Sequence, residues 1–211
     1  MATRGFFITL EGIEGSGKTT QARRLAAALR RRGYRVVLVR DPGSTSLGRG
    51  LRRVLLHSRQ TLSPLSEALL FFAARLQLVE EQIRPALSRG WVVVCDRFHD
   101  STVAYQGDAG GVDPAWLEQA GRRVVGTIMP NLTIVLDVPA GVGLARLGEA
   151  HDRIEGKGRA FHERVRKGFR RLARREPKRI IVVDGTQPAS TLLEYITSLV
   201  HARLPRQNRR R

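Results

Sequence analysis

The chain has 211 residues, with 37 Lys and Arg against 19 Asp and Glu and a formal net charge of +18. A hydrophobic content of 42% excludes a wholly disordered chain, and no apolar run approaches the roughly 18–20 residues that span a bilayer. The lone Cys95 excludes an intrachain disulfide, and the first apolar run stops at Glu11, too early for a secretory signal. We expect one basic domain in the cytoplasm.

Two sequence periodicities predict the order of elements. The predicted strands are Phe6–Glu11, Tyr34–Arg40, Trp91–Cys95, Leu132–Val138 and Arg179–Val183. The predicted helices are Lys18–Arg32, Leu47–His57, Ser63–Arg89, Asp113–Val125, Arg159–Arg175 and Ala189–Ala202. Ser63 is the expected cap of its helix, because Pro64 suits the first helical position. Nearly continuous apolar strands that alternate with helices predict a three-layer α/β domain on a parallel sheet.

A glycine-rich segment follows the first predicted strand. Gly12 to Thr19 reads GIEGSGKT and matches the pattern G-x-x-x-x-G-K-[ST], with a strand before it and a helix after it. Glycines let backbone N–H groups turn toward polyphosphate, and the helix N-terminus adds positive potential. Lys18 can reach the transferred phosphoryl group, and the Thr19 hydroxyl can bind Mg²⁺. The segment therefore predicts a site for a nucleoside triphosphate with Mg²⁺.

A second set of residues suits a phosphate acceptor. Asp96 and Arg97 end the third strand at its carboxyl end, where open α/β sheets bind ligands. They can hold a metal and a second phosphate, although a plain ion pair explains them too. Phe71 and Arg75 are four residues apart on one helix face, which suits a nucleobase. Taken alone, a core Phe and a surface Arg is the simpler interpretation.

Five segments together resemble the thymidylate kinases. They are Leu10–Thr20 (LEGIEGSGKTT), Arg40–Thr45 (RDPGST), Phe71–Arg75 (FFAAR), Asp96–Gly107 (DRFHDSTVAYQG) and Asp152–Glu155 (DRIE). The resemblance, from about Phe6 to Gln187, implies the P-loop nucleoside-monophosphate-kinase fold, a five-stranded parallel sheet with helices on both faces. It implies phosphorylation of dTMP to dTDP by ATP and Mg²⁺, a step of dTTP synthesis for DNA replication, in a homodimer.

The resemblance also assigns residues to the site. The ATP side would comprise Gly12, Ile13, Glu14, Gly15, Ser16, Gly17, Lys18, Thr19, Thr20 and Arg146. The dTMP side would comprise Arg40, Arg52, Phe71, Arg75, Arg97, Ser101, Thr102, Tyr105 and Gln106. The catalytic residues would be Glu14, Lys18, Arg97 and Arg153, and the metal-binding residues Glu14, Thr19 and Asp96.

Within that assignment, each contact has a chemical role. Phe71 would stack on the thymine, Arg75 would bond to its O4 edge, and Thr102 would meet the N3 and O2 side. Tyr105 would crowd the position of a ribose 2′-OH. Arg97 would lead the arginines that hold the acceptor phosphate.

Residues 148–158 resemble the mobile lid of these enzymes, and 206–211 are expected to form a frayed basic tail. The bacterial-type subdivision of the family has a neutral residue at the place of Gly15 and takes its catalytic arginine from the lid, here Arg153. Family members pair through helices beside the acceptor site. The apolar face of Ser63–Arg89 suits that contact and core burial equally, and its residues are Leu69, Phe72, Leu76 and Val79.

Two positions depart from the family pattern. Asp41 stands where Glu usually precedes Pro42, which leaves its metal or loop role open. The bond between them is cis by the resemblance and trans by the default for X-Pro bonds. His99 replaces a more common residue, and of its two interpretations, contact with the base and a surface histidine, we favour the second.

Two other functions stay open at this point. One is a kinase for dUMP, dCMP or a nucleoside. The other is a nucleic-acid-associated ATPase that uses the arginine-rich surface, since clustered cations neutralise phosphates. The sequence contains no helix-turn-helix, zinc-finger or RNP signature, so specific nucleic-acid binding is not expected. We interpret the excess charge as solvated surface.

Overall fold

The computed structural model describes residues 5–58, 60–148 and 152–205. In it, five parallel strands form one sheet in the order β2-β3-β1-β4-β5. The strands are β1 (Phe6–Glu11), β2 (Val36–Arg40), β3 (Val92–Asp96), β4 (Leu132–Asp137) and β5 (Ile180–Asp184). Each lies within two residues of its predicted bounds, so the predicted fold class is confirmed.

The sheet register brings three strand ends together. β1 lies between β3 and β4, with Leu10 paired to Asp96, and Asp96 is paired in turn to Arg40 of β2. Parallel neighbours end at the same edge of a sheet, because each connection crosses back over one face. The sheet register alone therefore brings together the polar residues that follow β1, β2 and β3, whatever the conformation of the loops.

Helices connect the strands and include all six predicted segments. They are α1 (Lys18–Arg31), α2 (Ser46–His57), α3 (Pro64–Leu78), α4 (Arg84–Ser88), α5 (His99–Thr102), α6 (Pro114–Val125), α7 (Ala140–Ala145), α8 (Gly158–Arg175) and α9 (Ala189–Arg203). The Ser63 hydroxyl accepts a hydrogen bond from the Ser66 N–H, with Pro64 in the first turn. That cap is the predicted one.

The structure corrects the prediction in three places. The predicted Ser63–Arg89 helix is divided by a π-helical turn, Val79–Ile83, between α3 and α4. Pro85 has no N–H for the carbonyl four residues earlier, inside that turn, and a widened turn relieves the clash of its ring. Two helical segments were not predicted: α5, which continues as π-helix Val103–Asp108, and α7.

Each face of the sheet has its own core. Ile8 and Leu10 of β1 are fully buried against α1 and α9, whereas Phe7 between them packs on the other face with Phe98. Alternation along the strand produces this division. Burial of each such side chain contributes about 1.5–3 kcal/mol. Helices on both faces make the three layers.

Some expected features lie outside the described residues. These are the tail at 206–211 and residues 149–151 of the expected lid, whereas 152–158 are described, with a 3-10 turn at Glu155–Lys157. Among the described residues, no helix has the length and apolar character needed to cross a membrane.

Candidate active site

The phosphate loop lies between β1 and α1. Gly12, Gly15 and Gly17 have φ of 141°, 68° and 88°, which turn the backbone in ways that L side chains rarely adopt. At Gly15 a Cβ would lie 1.9 Å from the Gly143 carbonyl oxygen, so only glycine fits. Lys18 Nζ donates to the Ile13 carbonyl at 2.9 Å across the loop. Burial and the nearby Arg97 cation lower the Lys18 pKa to about 8.

The carboxyl edge of the sheet carries a polar cluster. Thr19 Oγ1 donates to Asp96 Oδ2 at 2.6 Å, and Arg40 donates to the same carboxylate oxygen at 3.0 Å. Burial opposes ionisation of Asp96, but Lys18, the Thr19 hydroxyl and two arginines outweigh it and hold its pKa below the usual value. The other oxygen, Oδ1, is buried and has no partner among the described residues. An ionised carboxylate with a free oxygen therefore faces the phosphate loop.

Arg97 sits in a left-handed backbone conformation with φ of 69°. A non-glycine residue there costs roughly 1–3 kcal/mol and persists when its surroundings fix it. Its guanidinium donates to the Gly12 carbonyl, Ser101 Oγ, Glu14 Oε1 and Tyr105 Oη, at 2.6–3.1 Å. These four partners hold the Arg97 guanidinium against the phosphate loop.

Glu11 fixes the backbone around Arg97, a role that was not predicted for it. Its two carboxylate oxygens accept from the Phe98 N–H at 2.7 Å and from Ser101 Oγ at 2.5 Å. Burial, reinforced by the charge of Asp100, raises the Glu11 pKa to about 8. A strand-end glutamate looks like any polar residue in a sequence, because its partners lie about 90 residues away.

Glu14 is enclosed by donors from three other parts of the chain. Arg97 reaches Oε1 at 2.6 Å, Tyr105 donates to Oε2 at 2.6 Å, and His162 Nδ1 of α8 lies 3.0 Å from Oε2. Burial opposes ionisation, but Arg97 and the other donors outweigh it, so the Glu14 pKa lies well below its usual value. His162 was not among the predicted site residues.

Arg75 is a buried cation, not the surface residue of the simpler interpretation. It is 1% exposed; its Nε donates to Asp41 Oδ2 at 2.5 Å, and its Nη2 donates to Thr102 Oγ1 at 2.9 Å. Nη1 is buried and has no partner among the described residues. Asp41 therefore orients Arg75, which answers the question left open by its position before Pro42, and the bond between Asp41 and Pro42 is cis.

A cavity of about 330 Å³ joins these groups. Predicted residues in its wall are Glu14, Gly15, Lys18, Thr19, Arg40, Arg52, Phe71, Arg75, Asp96, Arg97, Ser101, Thr102, Tyr105 and Gln106. Residues in the wall that were not predicted as part of the site are Asp41, Pro42, Leu56, Leu147, Asp152, Ile154 and Glu155. Residues of the phosphate loop, residues predicted for the acceptor and described residues of the expected lid thus line one cavity.

The interpretation of His99 as a surface residue is wrong. The ring is 2% exposed and packs between Phe72, 6.4 Å away by ring centroids, and Gly121. Neither ring nitrogen has a partner among the described residues. A histidine in a polar-looking loop motif gave no hint of this, because the apolar neighbours come from α3 and α6.

A model of the thymidylate kinase family matches residues 10–196 of the chain. The chain belongs to the thymidylate kinase family. The thymidylate kinase of Thermomicrobium roseum is 48% identical over 198 residues, which cover 92% of this chain and 94% of that protein. That of Deinococcus radiodurans is 47% identical over 204 residues, with 95% and 98% covered. The resemblance predicted from the five segments is confirmed.

A solved structure agrees with the fold. The crystal structure of thymidylate kinase from Ehrlichia chaffeensis aligns with a TM-score of 0.77 at 34% sequence identity, covering 94% of this chain and 99% of that one. The likeness spans the sheet and its helices, so this member of the thymidylate kinase family has the predicted α/β fold.

The arginine predicted for the ATP side, Arg146, and the catalytic arginine predicted in the lid, Arg153, differ in placement. Arg146 lies next to the phosphate loop, with Nη1 at 3.4 Å from the Gly15 carbonyl oxygen and 3.3 Å from that of Gly185. Arg153 is absent from the cavity wall within the described residues, and its guanidinium donates to Glu67 and the Leu55 carbonyl. Arg153 was expected to reach the transferred phosphoryl group, but in this structure it contacts α2 and α3 instead.

Proposed function

We propose that this chain transfers the γ-phosphoryl group of ATP to dTMP, releasing ADP and dTDP. The observation that carries the proposal is the continuous cavity that runs from the phosphate loop to the buried Arg75 and the partly buried Phe71. One end suits a triphosphate and the other suits a base with its own phosphate. Membership in the thymidylate kinase family names thymidylate as the acceptor.

The base end of the cavity favours thymine by hydrogen-bond polarity. Phe71 lines the wall and would stack on the ring, and Arg75 Nη1 is a buried donor without a partner among the described residues. The O4 atom of thymine or uracil can accept from it, with Thr102 facing the N3 and O2 side. Cytosine presents an amino group at that position, so two donors would face each other and one would stay unpaired.

The middle of the cavity suits the sugar and the acceptor phosphate. We propose that Arg97, Arg52 and Arg40 hold that phosphate, because all three line the cavity and guanidinium groups bind phosphate bidentately. Tyr105 is held beside the loop by Glu14 and Arg97, which suits exclusion of a ribose 2′-OH.

The oxygen atoms at the carboxyl edge fit Mg²⁺. Thr19 Oγ1 and Asp96 Oδ2 are 2.6 Å apart, and Asp96 Oδ1 is buried and unpaired within the described residues. Mg²⁺ prefers hydroxyl, carboxylate and phosphate oxygens. Thr19 and Asp96 would hold the ion, which when bound neutralises charge on the ATP phosphates. Glu14, the third residue predicted to bind the metal, does not fit that role in this structure, because Arg97, Tyr105 and His162 already contact its two carboxylate oxygens.

The chain's own contribution to the reaction is alignment and charge. Phosphoryl transfer passes through a loose transition state, so positioning and cations matter more than covalent chemistry. We propose that Lys18 and Arg97 stabilise the charge between donor and acceptor, and that Glu14 orients the acceptor sugar. Burial strengthens each of these interactions, because the local dielectric constant is low.

The proposed function is tested by measuring ADP release with dTMP, dUMP, dCMP or duplex DNA added. We expect turnover to require dTMP, to fall with dCMP, and to be lost in a Lys18→Met variant that keeps the aliphatic stem. Turnover that increased with DNA and ignored dTMP would establish the nucleic-acid-associated ATPase instead. Turnover highest with dCMP would overturn the base assignment.

The homodimer is proposed on a surface of α3. Leu65, Leu69 and Leu76 are 43–53% exposed and share one face of that helix. Phe72 and Val79, the other two residues considered for this contact, belong to the core.

The expected location in the cytoplasm rests on the single Cys95 and stays a prediction.

A further inference from the structure

The Arg153 side chain makes three hydrogen bonds, and the described residues that accept them belong to α2 and α3, not to the phosphate loop. Its Nη1 donates to Glu67 Oε1 at 2.6 Å, while Nε and Nη2 donate to the Leu55 carbonyl at 3.0 and 2.7 Å. Its backbone N–H donates to the Leu56 carbonyl at 3.1 Å. The guanidinium group of Arg153 is thus hydrogen-bonded to residues of α2 and α3.

Glu67 is a buried anion that needs these partners. Its side chain is 0% exposed, and a carboxylate in that position is tolerated only when cations and hydrogen bonds surround it. Lys157 Nζ approaches Oε1 at 3.1 Å, and Gln106 Nε2 donates to Oε2 at 2.8 Å. Both cations on Glu67 therefore come from the described part of the lid, residues 152–158.

The same carboxylate links the lid to the cavity. Gln106 lines the cavity, and so do Ile154 and Glu155, on either side of which Arg153 and Lys157 are attached to Glu67. The charged contacts on α3 consequently fix the position of lid residues that form the cavity wall. Moving Arg153 to a phosphate would break three hydrogen bonds and remove one of the two cations from Glu67.

We infer that Glu67 is the docking point of the lid and that Arg153 is a positioning residue, holding the lid over the acceptor cavity through Glu67 instead of contacting the transferred phosphoryl group. The inference rests on the proposed function, since the affinity for dTMP is its kinetic readout. Lys157 also holds the lid to Glu67. Arg146 lies beside the phosphate loop, contacts the Gly15 and Gly185 carbonyls, and takes no part in this docking contact.

A double-mutant cycle tests this assignment. The variants are Arg153→Ala, Glu67→Gln and the double variant, with kcat and the KM for dTMP measured separately. We expect each single change to raise the KM for dTMP by about tenfold to a hundredfold, the range for loss of a charge-assisted hydrogen bond. We expect kcat to fall by less than tenfold. The double variant should be no worse than the worse single variant, because both changes release the same contact.

A role on the transferred phosphoryl group would give a different pattern. Arg153→Ala would then lower kcat by about 10³–10⁵-fold, as loss of an arginine finger does, with or without Glu67. That result would overturn the inference, and so would additive effects in the cycle. Arg174→Ala, which removes an exposed arginine from α8, is the matched control and should leave both constants unchanged.

Two further measurements distinguish failure of this inference from misfolding of a variant and from failure of the proposed function. If Glu67→Gln fails to fold, Lys157→Met removes the second lid cation and should raise the KM for dTMP in the same direction by a smaller factor. Hydrogen exchange of residues 152–158 needs no turnover: Arg153→Ala should speed it by at least tenfold. Unchanged exchange would overturn the docking role, whereas wild-type protein without dTMP-dependent turnover would overturn only the proposed function.

Discussion

His99 places an ionisable ring where water does not reach. Burial, with the nearby Arg75 cation as the next cause, lowers its pKa to about 3. The ring is therefore neutral in the folded protein across the physiological range. In the unfolded chain a histidine takes up a proton below about pH 6.5. Folding then opposes protonation, so stability due to His99 is complete above pH 6.5 and is lost as the pH falls toward 3.

This linkage predicts a pH dependence of stability. Between pH 7 and pH 5 the wild-type protein should lose about 2 kcal/mol of unfolding free energy through His99 alone, at about 1.4 kcal/mol for each pH unit below 6.5. A His99→Leu variant should lack that part of the loss. Urea unfolding at pH 7, 6 and 5 measures both, with His201→Leu at an exposed position of α9 as the control. Equal slopes in wild type and His99→Leu would contradict the prediction.

Sequence reasoning found residues whose chemistry is encoded by a motif and missed those defined by distant contacts. Lys18 and Arg97 belong to segments with a recognisable pattern, and the structure places both at the cavity. Glu11, Glu67 and His162 carry no local signal, because each contacts charged or polar partners about 40–150 residues away along the chain. Tertiary structure alone brings such pairs together.

At the scale of elements, the long apolar patterns predicted the sheet and its main helices, whereas the short helical segments were not predicted. α5 and α7 have four and six residues, which is less than two turns of the 3.6-residue period. An amphipathic pattern cannot be recognised over that length. The π-helical continuation at Val103–Asp108 packs against α8, and that packing is not visible in the local sequence.

Two helical glycines of the same type should respond in opposite directions to alanine. A Cβ at Gly121 in α6 would lie 2.1 Å from Cε1 of His99, whereas a Cβ at Gly50 in α2 meets nothing within 4 Å. Gly50→Ala should therefore raise the unfolding free energy by about 0.5–1 kcal/mol through helix propensity. Gly121→Ala should lower it by about 1–3 kcal/mol through overpacking.

Urea unfolding at pH 7 measures both glycine variants. Pairing Gly121→Ala with His99→Ala provides the control, because the smaller side chain removes the clash and should recover part of the loss. Gly121→Ala with the stability of Gly50→Ala would mean that the His99 ring moves aside without cost, contrary to its tight enclosure.

At the scale of the whole molecule, the net charge of +18 was first considered as a nucleic-acid-binding surface and then interpreted as solvated surface. Ion pairs account for part of it. Part of the arginine excess on α8 is paired: Arg166 and Arg170 contact Asp137, while Arg171 contacts Asp108. These contacts connect α8 to β4 and to the π-helix, and the carboxylates that they use are largely shielded from water. The interpretation as solvated surface therefore needs correction at these positions.

The assembly proposed for the whole molecule follows from the exposed leucines of α3. Leu65, Leu69 and Leu76 form one stripe, and Trp116 of the neighbouring α6 is also 41% exposed. A stable interface buries about 800 Å² on each partner and is driven mainly by apolar side chains of this kind. A twofold axis would pair the stripe with its own copy. A charge at Leu69, near the centre of the stripe, would then be buried without a partner.

We therefore expect Leu69→Glu to convert a dimer into a monomer, as measured by sedimentation velocity at micromolar concentration. Tyr195→Glu is the control, since it places the same charge at a 52% exposed apolar position on α9, outside the stripe, and should leave the dimer intact. A wild-type protein that sediments as one chain would contradict the homodimer. A dimer that survives Leu69→Glu would place the interface elsewhere. Because the stripe begins at Leu65, two residues before Glu67, dissociation should also loosen the lid contact, which hydrogen exchange at 152–158 would register.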